Sequence, residues 1–357
     1  MKSYASQRSY PSHKNKEGLP SGMGYILKLA ASPEYQWIAA AGKNDSNYIH
    51  VIDPTTLKLL SICGENGKAH DSTICDLKGI QSSLIASCSR DGTFKIWDVR
   101  TSTMPVWSQR ISNDKQDAEV NAIDCNNCTI AVGKDSEIAL FDLQTRKSHF
   151  CYNEMHSAPV TSLKFKPECQ NLLVSGSEDS MLCVMDIFDL NNDDEGQSPS
   201  LALNTENGVR DIRVFNDAIF AFSATETISV WNFEGAKLHE MQSLREHPLI
   251  THDGSLGYAI DVFRSPDGSA HVLGGSSSGC LALLDIAERT DSIIATFRSE
   301  GVHTEVVRTA LLNPSGQIFT GGEDGVLAEW VSQPDWNVTT SNFGPAQLEK
   351  KSKMAPY

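Results

Sequence analysis

The sequence predicts an all-β fold, a seven-bladed β-propeller, and three observations carry the prediction. The stretch Leu84–Arg100, LIASCSRDGTFKIWDVR, reads as a hairpin: an apolar strand over Leu84–Cys88, a turn at Asp91-Gly92, and a return strand with alternating Phe94 and Ile96. An Asp-Gly pair supplies the positive φ values of a tight turn. Aligning the chain on this turn and strand returns seven copies, ending at Ile52-Asp53, Trp97-Asp98, Phe141-Asp142, Met185-Asp186, Trp231-Asn232, Leu284-Asp285 and Trp330-Val331. Successive ends are 45, 44, 44, 46, 53 and 46 residues apart. A four-stranded propeller blade takes ~40–45 residues, so the period fits and only the 53-residue step needs an insertion.

The third observation is a polar set at fixed offsets. His70, Ser87 and Asp91 precede Trp97 by 27, 10 and 6 residues, and His303, Thr320 and Asp324 precede Trp330 by the same steps. The fourth copy keeps His156, Ser175 and Asp179 but carries Met185 in place of the tryptophan. An indole N–H buried between strands needs an acceptor, and a satisfied chain of polar groups fixes blade geometry. This grammar resembles the WD-repeat family, in which His, Ser or Thr, Asp and Trp are joined in a buried hydrogen-bonded network.

Taken in order, residues 1–20 are polar and aperiodic and are expected to be flexible, the propeller to span 21–331 and a tail to cover 332–357. The WD-repeat resemblance implies that a short N-terminal piece near Tyr4–Tyr10 supplies the outer strand of the last blade. The alternative is closure by the segment near Trp336–Thr340. Either removes an open sheet edge. Blade one is expected at Tyr25–Ala30, Trp37–Ala41, Tyr48–Ile52 and Leu57–Ile62. Blade two adds Ile74–Leu77 to the opening hairpin, and blade three runs Val120–Asp124, Thr129–Gly133 and Glu137–Phe141. Blade four is HSAPVTSLKFKPECQNLLVSGSEDSMLCVMDI. The acidic, apolar-poor Asp189–Ser200 then reads as a solvated loop, with docking of a basic partner as the alternative. Blade five is expected at Val209–Phe215, Ile219–Ser223 and Thr227–Trp231. The insertion follows within Lys237–Gly257, where KLHEMQSLREH reads as a short rim helix ending at Pro248. Blade six turns at Pro266-Asp267-Gly268, and blade seven ends at Trp330.

Composition narrows the class. A chain of 357 residues with 40% apolar content fits a globular domain, which at this size buries roughly 75% of its unfolded surface. No run approaches the ~18–20 apolar residues of a membrane span, and the N-terminus lacks the apolar core of a secretion signal. The expectation is an intracellular protein, nuclear and/or cytoplasmic, with no membrane partner. Nine cysteines agree with that compartment, scattered singly as at Cys88, Cys151, Cys183 and Cys280. Cys125 and Cys128 bracket a hairpin turn at Asn126-Asn127 and lack two further ligands for zinc. His239, His247 and His252 match no metal spacing. Net charge is −15, with +3 over residues 1–20 and +2 over 345–357, leaving −20 on the body. Such a body repels phosphate backbones and so argues against general nucleic-acid binding, and no direct nucleic-acid partner is expected. It favours basic protein partners, though solubility alone explains it equally well.

No phosphate loop, His-Glu-x-x-His or Gly-x-Ser-x-Gly motif occurs. The repeated polar residues are already accounted for by turns and the buried network. No catalytic residue, metal or cofactor is assigned, and the expected role is a non-catalytic scaffold, a monomer within a larger complex.

The segments HSAPVTSLKFKP…LLVSGSEDS, YAIDVFRSPDGSAHVLGGSSSG and HTEVVRTALLNPSGQIFTGGEDGVLAEW narrow the resemblance. They are similar to the eukaryotic family of WD repeat-containing protein 89, most clearly from about residue 150 to 331, with Gly274-Gly275 and Gly321-Gly322 as markers. Membership implies a propeller scaffold in the nucleus or cytosol and names no partner. The WD-repeat resemblance further implies that the residue after the first apolar position of each inner strand lies near the mouth of a central channel. Those residues are Lys28, Cys75, Asn121, Thr161, Arg210, Asp261 and Arg308, with Arg90, Lys134, Glu178 and Glu323 before the turns on the same rim. Arginines beside glutamates suit a polar, charge-patterned peptide; the alternative for each is an ordinary solvated charge. Trp97-Asp98-Val99-Arg100 resembles the Trp-Asp-x-Arg box by which WD-repeat receptors dock to cullin-type ubiquitin ligases, with Arg100 as the contact. A third reading is an accessory subunit of an RNA-modifying or ribosome-assembly complex.

Overall fold

Short strands with apolar residues on both faces are stable only where both faces are covered. The middle strands here read that way, as in Leu84–Ser89 and Thr129–Lys134, and they become the second strands of stacked sheets. The computed structural model of the chain describes residues 2–10, 24–43, 47–101, 103–111, 119–126, 128–153, 155–187, 199–215, 217–242, 244, 250–251, 254–264, 269–286, 293–298 and 302–332. Every regular element among them is a β-strand.

The strands form seven antiparallel blades of four. Blade one is Tyr25–Ala31, Ile38–Lys43, Asn47–Ile52 and Leu59–Cys63. Blade two is Ile74–Gln81, Leu84–Ser89, Thr93–Asp98 and Trp107–Arg110. Blade three is Val120–Cys125, Thr129–Lys134, Glu137–Asp142 and Ser148–Tyr152. Blade four is Val160–Lys166, Cys169–Ser177, Met181–Asp186 and Leu201–Asn204. Blade five is Val209–Val214, Ile219–Ser223, Ile228–Trp231 and Lys237–Met241. Blade six is Tyr258–Arg264, Ala270–Gly275, Leu281–Asp285 and Ile293–Arg298. Blade seven is Val307–Leu312, Ile318–Gly322 and Leu327–Ser332, with Lys2–Tyr10 as its fourth strand. The fold is the seven-bladed β-propeller that the repeat spacing predicts.

Lys2–Tyr10 runs antiparallel to Leu327–Ser332, pairing Tyr4 with Ser332 and Tyr10 with Leu327. Its start also pairs parallel with blade six, Lys2 opposite Ala295. The alternative closing segment near Trp336, the loop at 188–198, the blade-six turn at 265–268, His247, His252 and the basic tail lie outside the described residues.

The expected helix over KLHEMQSLREH is corrected. Lys237–Met241 is the outer strand of blade five, paired with Ile228–Trp231 through Ile228↔Met241 and Val230↔His239. Lys, Leu, Glu and Met favour a helix locally, but the open edge of the third strand offers unpaired backbone groups and a buried seat for Met241. The rest of the insertion includes a two-stranded element, Ile250–Thr251 with Gly254–Ser255.

The chain divides into two compact units, residues 30–242 and residues 1–29 with 243–357. In the first, the core lies between consecutive blades. Ala39, Ile49 and Val51 of blade one meet Ile74, Ile85 and Trp97 of blade two. Ala86, Phe94 and Ile96 on the other face of blade two meet Val120, Ile130 and Val132. Adjacent residues thus serve different cores, as strand periodicity requires. In the second unit, Leu273, Leu281 and Leu283 of blade six pack on Val307, Ile318 and Trp330 of blade seven. Gly176 permits one such close approach: a Cβ there would stand 2.7 Å from Val209 Cγ1 of the next blade.

Candidate partner-binding surface

The polar set forms a linear relay in blade two. Trp97 Nε1–H donates to Ser87 Oγ at 2.9 Å. Ser87 in turn donates to His70 Nε2 at 2.8 Å, and His70 Nδ1–H donates to Asp91 at 3.0 Å. With both ring nitrogens so engaged, His70 is the neutral Nδ1–H tautomer, and burial pushes its pKa below the usual value, more than Asp91 pulls it up. Asp91 also accepts the Asp71 and Thr93 N–H groups at 2.9 and 3.0 Å. Burial opposes the ionised form of Asp91, yet these hydrogen bonds hold its carboxyl well below the usual range. Blade seven repeats the relay through Trp330, Thr320, His303 and Asp324 at 2.7, 2.8 and 3.0 Å. Blade four has His156 between Ser175 and Asp179 at 2.8 and 3.1 Å, with buried Met185 at the tryptophan position. Gly322 leaves room for the last pair, since a Cβ there would lie 2.8 Å from Asp324 and 3.0 Å from His303. All these groups are consumed inside the fold.

The inner strands share one device. In blades two to seven the register shifts just after the start of the inner strand, skipping Cys75, Asn121, Thr161, Arg210, Ile260 and Arg308. Such a bulge leaves one residue out of the ladder and re-aims its side chain. Arg210 is exposed there, 3.5 Å from Glu226 and stacked 6.0 Å over Phe222. Arg308, exposed in the second unit, donates through Nε to Glu323 at 2.7 Å. Asn121 Oδ1 stands 3.8 Å from Cys75 Sγ. Thr161 is spent on the carbonyls of Gly176 and Val209 at 3.1 and 2.7 Å. Of the residues before the turns, Arg90 faces Glu119 at 3.5 Å, Lys134 lies 3.6 Å from Glu137, and Glu178 is exposed.

Two expected surface residues are corrected. Asp261 is 6% exposed, and its Oδ1 accepts the Val262 N–H at 2.7 Å. It matches Asp76 and Asp211, which accept the Leu77 and Ile212 N–H groups at 2.9 and 2.8 Å. Lys28 occupies the same place: Leu29 N–H reaches Thr309 Oγ1 as Ile212 N–H reaches Ser162 Oγ. Both strands open on two apolar residues, Ile26-Leu27 and Ala259-Ile260; Lys28 and Asp261 follow the second of each pair, which in blade six is one residue past the bulge.

Sequence reasoning missed a charged cluster deeper along the inner strands of the first unit. Lys78 Nζ lies 2.6 Å from Asp124, Lys164 Nζ 3.6 Å from Asp76, and Arg213 2.9 Å from Asp211. Burial alone would lower the Lys78 pKa, but the Asp124 charge outweighs it and raises it above the ordinary lysine value. The only signal was an acidic or basic residue at alternate positions of otherwise apolar strands, as in Asp76-Leu77-Lys78.

Arg100 closes the Trp-Asp-x-Arg box. Its side chain is 72% exposed and its Nε donates to Asp98 at 2.9 Å. The hydrogen bond from the Arg100 guanidinium lowers the Asp98 pKa, and Asp98 in turn raises that of Arg100. Among the described residues no group of three or more His, Cys, Asp or Glu side chains is placed to hold a metal ion. No helix among them is long and apolar enough to cross a membrane.

Seven four-stranded blades with this relay define a WD-repeat β-propeller. The chain belongs to the β-propeller family described as Nucleolar protein 10-like, N-terminal domain, whose model matches residues 55–233. It is also similar to the WD repeat-containing protein 89 homolog of Dictyostelium discoideum, 28% identical over 100% of this chain and 99% of the relative. The WD repeat-containing protein GTS1 of Arabidopsis thaliana is 26% identical, covering 96% of this chain and 92% of the relative. An uncharacterized WD repeat-containing protein of Saccharomyces cerevisiae is 25% identical over 87% of this chain and 79% of its own length. Propellers of this class are protein-interaction scaffolds, generally without catalysis.

Proposed function

We propose that the chain holds a charge-patterned segment of a partner protein, with both acidic and basic residues, on the bulge-borne side chains of its inner strands, the side that in propellers borders the mouth of the central channel. One observation carries the reading: the bulges present Arg210 in one unit and Arg308 in the other outside the sheet ladders, each beside a glutamate, so that each offers both signs of charge to a mixed-charge ligand. Glu178 adds an exposed acid on blade four. The net charge of −15 steers a basic partner toward the protein. Affinity purification with mass spectrometry identifies the partner, and Arg210→Glu with Arg308→Glu tests the face. The expected result is loss of the main partner, with affinity falling steeply as salt rises. Undiminished binding by the double variant rejects this surface.

A second reading is supported by the exposure of Arg100. As a substrate receptor of a cullin-type ligase, the protein would lose its adaptor on Arg100→Ala and keep it on Arg210→Glu. The third reading, an accessory subunit of an RNA-modifying or ribosome-assembly complex with nuclear access, draws support from the family description as Nucleolar protein 10-like. The same purification separates the three.

A further inference from the structure

At the far end of blade two from its bulge lies a groove of about 220 Å³, bordered by Leu84, Ile96, Val106, Trp107, Leu143 and Arg146. Gln81, which also borders it, is six residues along the inner strand from Cys75, and at ~3.3 Å per residue the groove is about 20 Å from the bulge surface. It is therefore separate from the face discussed above. Its volume is well below the ~300–1,000 Å³ of small-molecule and cofactor sites. It suits one large side chain.

The floor is rigid and apolar. Trp107 packs edge-on to Phe94 with centroids 4.9 Å apart, and Phe94 meets Phe141 at 5.0 Å. Trp107 itself is buried, but its indole N–H makes no hydrogen bond, unlike those of Trp37, Trp97, Trp231 and Trp330. Val106 and Met104 stand exposed beside it, Met104 at 62%. A cluster of this kind at a groove edge marks an interaction site more often than a scattered apolar residue does.

The other wall is cationic. Arg146 sits in the left-handed region at φ 58°, held by its N–H to the Asp142 carbonyl at 2.9 Å. Asp142 also accepts the Thr145 N–H at 2.6 Å, so the turn is fixed. The Arg146 and Lys147 side chains are exposed and form no ion pair. In a chain with a net charge of −15, two adjacent free cations are locally out of keeping.

We propose that this groove takes a short linear segment of a partner protein, with one bulky aliphatic or aromatic residue seated on Trp107 and Leu143 and a carboxylate beside it facing Arg146. The free indole N–H is a second donor for the same segment. A basic segment is disfavoured here by Arg146 and Lys147.

The test uses the full chain and fluorescein-labelled Gly/Ser dodecapeptides. Each carries one Leu, Phe or Trp with Glu two to four residues away, or Lys in place of that Glu. In fluorescence anisotropy the Glu peptides bind and the Lys peptides do not. Arg146→Glu weakens the Glu peptides about tenfold or more, in line with loss of an interfacial charge partner. Leu143→Ser weakens every peptide, and Arg210→Glu changes nothing. Arg146→Glu alters an exposed side chain, so its thermal unfolding matches the parent and the result stands if Leu143→Ser misfolds. Equal binding of Glu and Lys peptides, no binding by any peptide, or indifference to Arg146→Glu overturns the proposal. So does a concentration-dependent dimer lost on Arg146→Glu, which would make a second copy the occupant.

Discussion

The Lys78 ammonium lies 2.6 Å from the Asp124 carboxylate, tying the inner strand of blade two to that of blade three. Asp124 also accepts the Phe165 N–H of blade four at 2.7 Å, so one carboxylate serves three consecutive blades. Asp124→Ala leaves an unneutralised lysine and an unpaired amide. Breaking a buried pair from one side costs about 3–5 kcal/mol, and retained water access at Lys78 places this loss at roughly 2–4 kcal/mol. Lys78→Met with Asp124→Leu recovers a large part of it. Urea unfolding of the three variants checks both statements, and a single-variant loss below about 0.5 kcal/mol contradicts them.

Ser87 both accepts from Trp97 and donates to His70. Ser87→Ala therefore strands two buried groups and should cost about 2–4 kcal/mol, each unsatisfied group contributing about 1–3. Ser87→Thr keeps the hydroxyl, as Thr320 does in blade seven, and should stay within about 1 kcal/mol of the parent. Equal destabilisation by the two variants would mean that volume, and not the hydroxyl, sets the cost.

Acid weakens the fold in two windows. Burial depresses His50 from 6.5 to about 4, and it also lowers His70 and His156. A histidine lowered on folding binds fewer protons in the native state, so its penalty is absent above the unfolded value and grows as pH falls from 6.5 toward 4. His50 alone accounts for on the order of 3 kcal/mol across that window. Asp91, Asp179 and Asp324 are held low by their hydrogen bonds against the opposing effect of burial. Their contribution is present above the unfolded carboxylate value and is lost as pH falls through their lower folded values. Urea midpoints at pH 7.5, 5.5 and 4.5 should fall in that order; a constant midpoint contradicts the first window.

Gly176→Ala pushes a methyl to 2.7 Å from Val209 Cγ1 and 3.1 Å from Ile212 Cγ2. Overpacking of this kind costs about 1–3 kcal/mol. Adding Val209→Ala relieves the contact, so the double variant is more stable than the summed single losses. Strict additivity in calorimetry would show that the two blades move apart freely.

Blade number, strand order within a blade and the buried relay were all legible in the sequence. They depend on residues close in sequence: a turn, a two-residue period and fixed offsets such as Ser87 to Trp97. Each is set by local geometry, so one chain segment carries the whole signal. The KLHEM strand and the bulge register were not legible. Helix-forming residues at 237–241 were overruled by an unpaired strand edge, and the doubled apolar start at Ala259-Ile260 hid which residue leaves the ladder.

A repeating all-β scaffold follows from the residues alone, because their grammar recurs every blade. Tertiary structure alone decided which charges are spent and which are offered. Asp76 and Asp124 look like surface acids in the sequence, yet they find their lysine partners only when separate inner strands come together. Arg146 and Trp107 are 39 residues apart in the sequence and share a groove only because blades two and three are stacked. Pairing of charges between strands depends on distances that no linear spacing encodes.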